Sequence, residues 1–353
     1  GFEVGIMSWA IRIIAWAAMA VGFVTALAAV WPPALQEPFR TLVILALLVG
    51  LGALNVFGVK PAKLVNNLVT LGKLVPLVVF VLAGVWFIQG SRFVPLFPGG
   101  FHLDAFGAAT LVIFYAFTGF EALAVAAEDM EDPRRHLPRA LLAVMVLCAA
   151  IYCAVQAVAV GTLGPALAKS TAPVADAAQA FLGPAGKWLV TCGALVSIGG
   201  INVATSFISP RTGVALAEDG MVPRRLGDLN RFGAPQLSIL VTVLLAIPVA
   251  LSGSFVQLAA ISMVSRFAQY LPTCLAVLVL RRRGGLPDGF RLPFGPVVPV
   301  AAMLASLWLL SHATRPQLLW GLGALALGAP LYVLMKGLNA KTPVPPNLQE
   351  VQP

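Results

Sequence analysis

Ten apolar runs, each about as long as a bilayer is thick, dominate this sequence. They cover 4–30, 41–59, 64–89, 105–127, 139–163, 185–210, 236–252, 255–280, 296–313 and 317–335. A helix needs roughly 17–25 apolar residues to cross the hydrocarbon core. Lipid offers the backbone no hydrogen bonds, so runs of this length read as helices. The expected fold is an all-α polytopic membrane protein of about ten transmembrane helices, in one transmembrane domain covering 1–353. Only 10% of the residues are charged and 59% are hydrophobic, with a mean hydropathy of +0.92. A soluble domain carries roughly 25% charged residues, so soluble globular classes are excluded.

The net charge of +9 is accounted for by loop position. With the loops alternated from the first run, fifteen basic residues fall on one side, among them Lys60, Arg134, Arg135, Arg224, Arg225 and the triplet Arg281–Arg283. Five fall on the other: Arg40, Arg92, Lys169, Lys187 and Arg315. Cytoplasmic loops carry the excess of Lys and Arg, so the first side is cytoplasmic, and both chain ends with it. The lipid bilayer is the implied partner, and no nucleic acid is needed to explain the charge. The tail 341–353, rich in proline and polar residues, reads as disordered.

Several other chemistries find no footing. Cys148, Cys153, Cys192 and Cys274 lie in apolar runs and form no C-x-x-C pair, so they read as small buried residues. His102, His136 and His312 are scattered, and no metal or other cofactor is expected. The GPAGK at 183–187 lacks P-loop spacing. No charged n-region precedes the first run, so it does not read as a signal peptide.

The fourth run carries the strongest functional signal. Thr118-Gly119-Phe120-Glu121 lies inside it. A carboxylate at bilayer depth costs roughly 2.5–3.5 kcal/mol on insertion scales, which marks a functional site by default. Gly119 is the residue best able to let the helix unwind beside it. A helix broken at mid-membrane next to an ionisable group is how many secondary transporters build a substrate site. A loop dense in charge follows, with Glu128, Asp129, Glu131, Asp132, Arg134, Arg135 and Arg139. It suits either a cytoplasmic gate or a solvated connector, with Asp132 before Pro133 placed as an N-cap.

Other polar positions are more ambiguous. Asn66, Thr70 and Lys73 share one face of the third run. Lys73 either snorkels to the interface or is a buried amine that exchanges a proton or replaces a coupling cation. Ser197, Gly199, Gly200, Asn202, Thr205, Ser206 and Ser209 in the sixth run serve either close helix packing or a central polar site. Arg12 in the first run either snorkels to the near face or contacts a missing neighbour. Arg266 in the eighth has to face protein or water.

The fourth run and its loop also carry a resemblance. Phe117-x-Gly119-Phe120-Glu121, Ala126-Ala127-Glu128 and Asp132-Pro133-x-Arg135-x-x-Pro138-Arg139-Ala140 resemble the sixth helix and following loop of amino-acid permeases of the amino acid–polyamine–organocation superfamily. Arg211, Ala217-x-Asp219-Gly220, Pro223 and Ala234-Pro235 resemble the family's eighth helix and loop. Gln269-Tyr270 with Arg281–Arg283 resembles its tenth. Thr70-x-x-Lys73 matches a lysine that in some members occupies the place of a coupling sodium.

The resemblance implies a LeuT-like five-plus-five inverted repeat, with the ten runs corresponding to helices three to twelve. The fold would then be incomplete at its N-terminus. The first helix, whose glycine-rich backbone holds substrate in relatives, would lie upstream. It further implies secondary active transport of an amino acid or related amine across the cytoplasmic membrane by alternating access. Transport would be coupled to protons or sodium, or run as exchange. Tyr115, Phe117, Thr118, Gly119 and Thr205 would bind substrate. Glu121 would bridge the helix break or take part in proton coupling, with Lys73 as a second coupling candidate. Two rival classes are an intramembrane enzyme, for which no nucleophile or metal motif is present, and a truncated, non-transporting fragment of such a permease.

Overall fold

The computed structural model describes residues 2–58, 63–97, 99–121, 132–283, 294–323 and 325. Its helices are α1 (Phe2–Leu27), α2 (Phe39–Val56), α3 (Lys63–Gly84), α4 (Leu103–Tyr115), α5 (Pro133–Leu163), α6 (Pro173–Glu218), α7 (Gln236–Leu251), α8 (Phe255–Arg283) and α9 (Val297–Ser311). Residues 315–323 are helical too. Among the described residues there is no strand. Among the described residues these labelled helices fall on the first nine apolar runs, and of the tenth run only 317–323 and 325 are described. α1, α2, α5, α6 and α8 are long and apolar enough to cross a membrane, while α4, α7 and α9 are shorter apolar helices.

Two boundaries differ from the sequence expectation. The stretch between the fifth and sixth apolar runs, 164–184, is mostly helical: α5 runs to Leu163, a 3-10 turn covers Gly164–Lys169, and α6 starts at Pro173. α6 is broken only at Gly183 (φ 68°, ψ −161°), where the left-handed backbone admits glycine without a Cβ penalty. Its alanine-rich start, PVADAAQAF, has high helix propensity despite the flanking prolines. The second difference is in the fourth run, where α4 already ends at Tyr115.

Other local signals act as chemistry dictates. Asp132 caps α5: its Oδ1 accepts from the Arg135 N–H at 3.3 Å, and Pro133 holds the first helical position. The charged positions Glu128, Asp129 and Glu131 and the tail 341–353 lie outside the described residues. So do the side chains of Asn66, Asn67 and Thr70.

α1 is the most enclosed element. It packs against α2, α6, α7 and α8, and Trp16, Ala17, Ala18 and Ala20 are fully buried. Two smaller apolar clusters flank this core. One joins α3, α5 and α6 around Phe80 and Val158, and the other joins α4, α8 and α9 around Leu111 and Phe267. Large apolar side chains also point outward, such as Trp86, Val146 and Leu244. Lipid, unlike water, tolerates them, and it also removes the hydrophobic drive between helices, so association rests on close packing. Gly193 of α6 shows this: a Cβ there would stand 2.5 Å from the Pro76 ring of α3.

Candidate functional site

Beyond Tyr115 the chain leaves the helix and turns through 116–121. The Ala116, Phe117 and Thr118 N–H groups each reach back three residues, to Ile113, Phe114 and Tyr115, in tightening turns. The Thr118 hydroxyl also donates to the Tyr115 carbonyl at 2.8 Å. At Gly119 the backbone passes to φ 106°. Nothing stands within 4 Å of where its Cβ would be, so the glycine is required by conformation and not by space.

Glu121 closes this turn. Its Oε2 accepts from the Gly119 N–H at 2.8 Å, bridging the break locally. Its Oε1 reaches α8, where it takes Nη1 of Arg266 at 2.7 Å and the hydroxyl of Tyr270. Arg266 and Tyr270 are four residues apart and so share a face of α8. The Arg266 side chain is 13% exposed and that of Glu121 30%, so the pair is shielded from most solvent. Such a pair is strong only while both members remain.

Rings surround the turn. Phe120 lies against Tyr270 at 6.1 Å, Tyr115 meets Phe255 edge-on at 6.0 Å, and Phe117 meets Tyr152 of α5 at 5.2 Å. The Tyr152 hydroxyl donates to the freed Ala116 carbonyl at 3.0 Å. A third helix, α1, approaches: its Ser8 accepts a hydrogen bond from Gln269 of α8, and its Arg12 lies within electrostatic reach of Arg266 and Glu121.

The positions expected from the sequence divide into two groups. Tyr115, Phe117, Thr118, Gly119 and Glu121 come together at the α4 break. Thr205 and Lys73 have no bond to it. The Thr205 hydroxyl donates to Ile201, one turn back on its own helix. Lys73 is half-buried and forms no hydrogen bond or ion pair with a described residue. The polar stripe of α6 bonds along helix seams: Asn202 donates to the carbonyls of Met19 and Ile198, and Ser206 accepts from Asn55 at 3.1 Å.

The pairing of Glu121 with Arg266 was not foreseen. The signal for it was present: opposite charges in two separate apolar runs have few ways to be satisfied except by each other. The part of Tyr152 was legible only from the structure.

Residues 1–320 match a family model described as amino acid permease. An uncharacterised transporter of Mycobacterium tuberculosis is 32% identical over 311 residues, which are 80% of this chain and 64% of that protein. A methylthioribose transporter of Bacillus subtilis is 26% identical over 253 residues, 71% of this chain and 54% of the relative. A branched-chain amino acid permease of the same organism is 28% identical over 293 residues, 80% and 61% respectively. The chain therefore spans less than two thirds of the length of each.

Proposed function

This chain belongs to the amino acid permease family, and on that premise we propose that it is an integral membrane protein carrying amino acids or related amines across the cell membrane. The mechanism is secondary transport by alternating access. The observation that carries this reading is the broken end of α4, tied to α8 through Glu121, Arg266 and Tyr270. Unwound backbone at 116–121 offers polar groups that a continuous helix would have spent on itself. The relatives bear names for methylthioribose and for branched-chain amino acids, so family membership leaves the substrate class to the side chains around this break.

Tyr115, Phe117, Thr118 and Gly119 form the wall that substrate meets. Glu121 acts as the bridge. Its carboxylate is spent on three donors from two elements, which suits a tie that opens and closes as α4 moves against α8. Lys73, an amine on α3 without a described partner, is the candidate for proton coupling, and Thr205 has the weakest support as a substrate contact.

The test is uptake of radiolabelled substrates into liposomes that hold the full-length protein, with an imposed pH or sodium gradient. Glu121→Gln is expected to slow uptake at least tenfold at every pH while its pH dependence persists. Lys73→Met is expected to remove that dependence. If Glu121→Gln instead removes the pH dependence, Glu121 is the proton carrier and the bridging role is wrong. Absence of uptake for every amino acid and amine tried overturns the transport reading.

A further inference from the structure

Among the described residues, the charges gathered at the α4 break do not sum to zero. Glu121 supplies one carboxylate, while Arg266 and Arg12 supply two guanidiniums. The placement of Arg12 is geometric. Ser8 of α1 meets Gln269 of α8, and Gly22 of α1 meets Phe255 of α8, with a Cβ at Gly22 falling 3.1 Å from that ring. α1 and α8 thus run antiparallel along one seam. Arg12 lies one turn from Ser8 on the same face, which brings it level with Arg266. Its guanidinium makes no hydrogen bond or ion pair with any described residue, and it feels the charge of both Arg266 and Glu121. Arg266 commits Nη1 to Glu121, while its Nε is buried without a hydrogen-bond partner among the described residues.

One positive charge in excess among the described residues is costly at this depth, and the cost falls when an anion arrives. We propose that Arg12 and the unspent donors of Arg266 receive a carboxylate that the substrate carries in addition to its α-carboxylate. The protein then transports acidic amino acids in preference to neutral ones and rejects cationic ones. This inference rests on the transport reading above and narrows its substrate class. A guanidinium fork matches a carboxylate in shape as well as charge. A neutral amino acid brings no net charge to the cluster. A basic amino acid or polyamine adds a third positive charge where the dielectric is low, which is repulsive. An inorganic anion such as chloride could supply the same charge, and the experiment separates the two.

Glutamate and glutamine differ at the side chain in charge and hardly in shape, so they are the probes. In liposomes with the full-length protein, glutamate is expected to compete for uptake at least tenfold better than glutamine, and lysine not to compete. Arg12→Gln is expected to bring the glutamate-to-glutamine ratio close to one, and Arg12→Lys to keep much of the preference. Thermal unfolding of each variant in detergent checks that it is folded.

Equal transport of glutamine and glutamate by the unaltered protein overturns the inference and leaves the transport reading standing. So does a ratio that Arg12→Gln does not change. Neutral amino acids carried only when chloride is present, with that requirement lost in Arg12→Gln, would assign the site to an inorganic anion and overturn it as well. No uptake of any amino acid overturns both.

Discussion

Two regions of this molecule place polar side chains among apolar helices, and they handle them in opposite ways. In the middle of α6, Asn202, Ser206 and Ser209 are almost wholly buried. The helix stays continuous there, and each of the three side chains bonds to backbone or to one neighbour: the Asn202 amide nitrogen to Met19, Ser206 to Asn55, and Ser209 to the Arg12 carbonyl at 3.5 Å, with the Asn202 amide oxygen left without a described partner. At the end of α4 the helix gives way. Freed backbone, a carboxylate and a guanidinium gather on one spot, and Tyr152 comes over from α5 to satisfy a carbonyl. Polarity alone therefore does not mark a site in a membrane protein. Neutral groups can be consumed as packing contacts at helix seams. Charge combined with broken backbone cannot, because its cost has to be met by partners that can also move.

The largest expected effect comes from removing the partner of Glu121. Arg266→Met takes the bonded ion-pair partner from a shielded carboxylate, a defect worth about 3 kcal/mol. Unfolding in detergent should shift down by that amount, and uptake should be lost. Restored stability in the double variant Glu121→Gln/Arg266→Met would attribute the loss to the pair, whereas an unchanged midpoint in Arg266→Met would show that the two regions do not differ as argued.

Gly119→Ala comes next. The Cβ meets no atom, so the substitution reports only the left-handed backbone, at about 1–2 kcal/mol. Transport should fall several-fold, more than stability does, because the turn is what presents 116–121. An alanine variant with full transport would remove the break from the mechanism.

The smallest effect is expected at α6. Asn202→Leu removes two hydrogen bonds but also an amide oxygen that has no described partner. The net change in stability should stay within about 1 kcal/mol. Uptake per folded molecule should be unaltered. Loss of uptake in a stable Asn202→Leu protein would make α6 part of the substrate site and break the comparison.

The sequence by itself determined the class of molecule, the helical runs and the position of the break. Run length and hydropathy are one-dimensional properties, and a bilayer converts them directly into helices. The Thr118–Glu121 step was equally legible, since a carboxylate inside an apolar run has no bland explanation, and so was the Asp132 cap. Short alanine-rich helix around Pro173 was not, because the prolines and glycines beside it mimic a loop. Tertiary structure alone decided which polar groups share a site. Asn202 and Thr205 look as functional as Thr118 in sequence, yet their bonds go to helix seams and to their own backbone. Arg12 and Arg266, separated by most of the chain, become neighbours only because α1 and α8 pack antiparallel. Charge pairing is decided by distance in space, and which of several intramembrane charges meet depends on how the helices are arranged around one another.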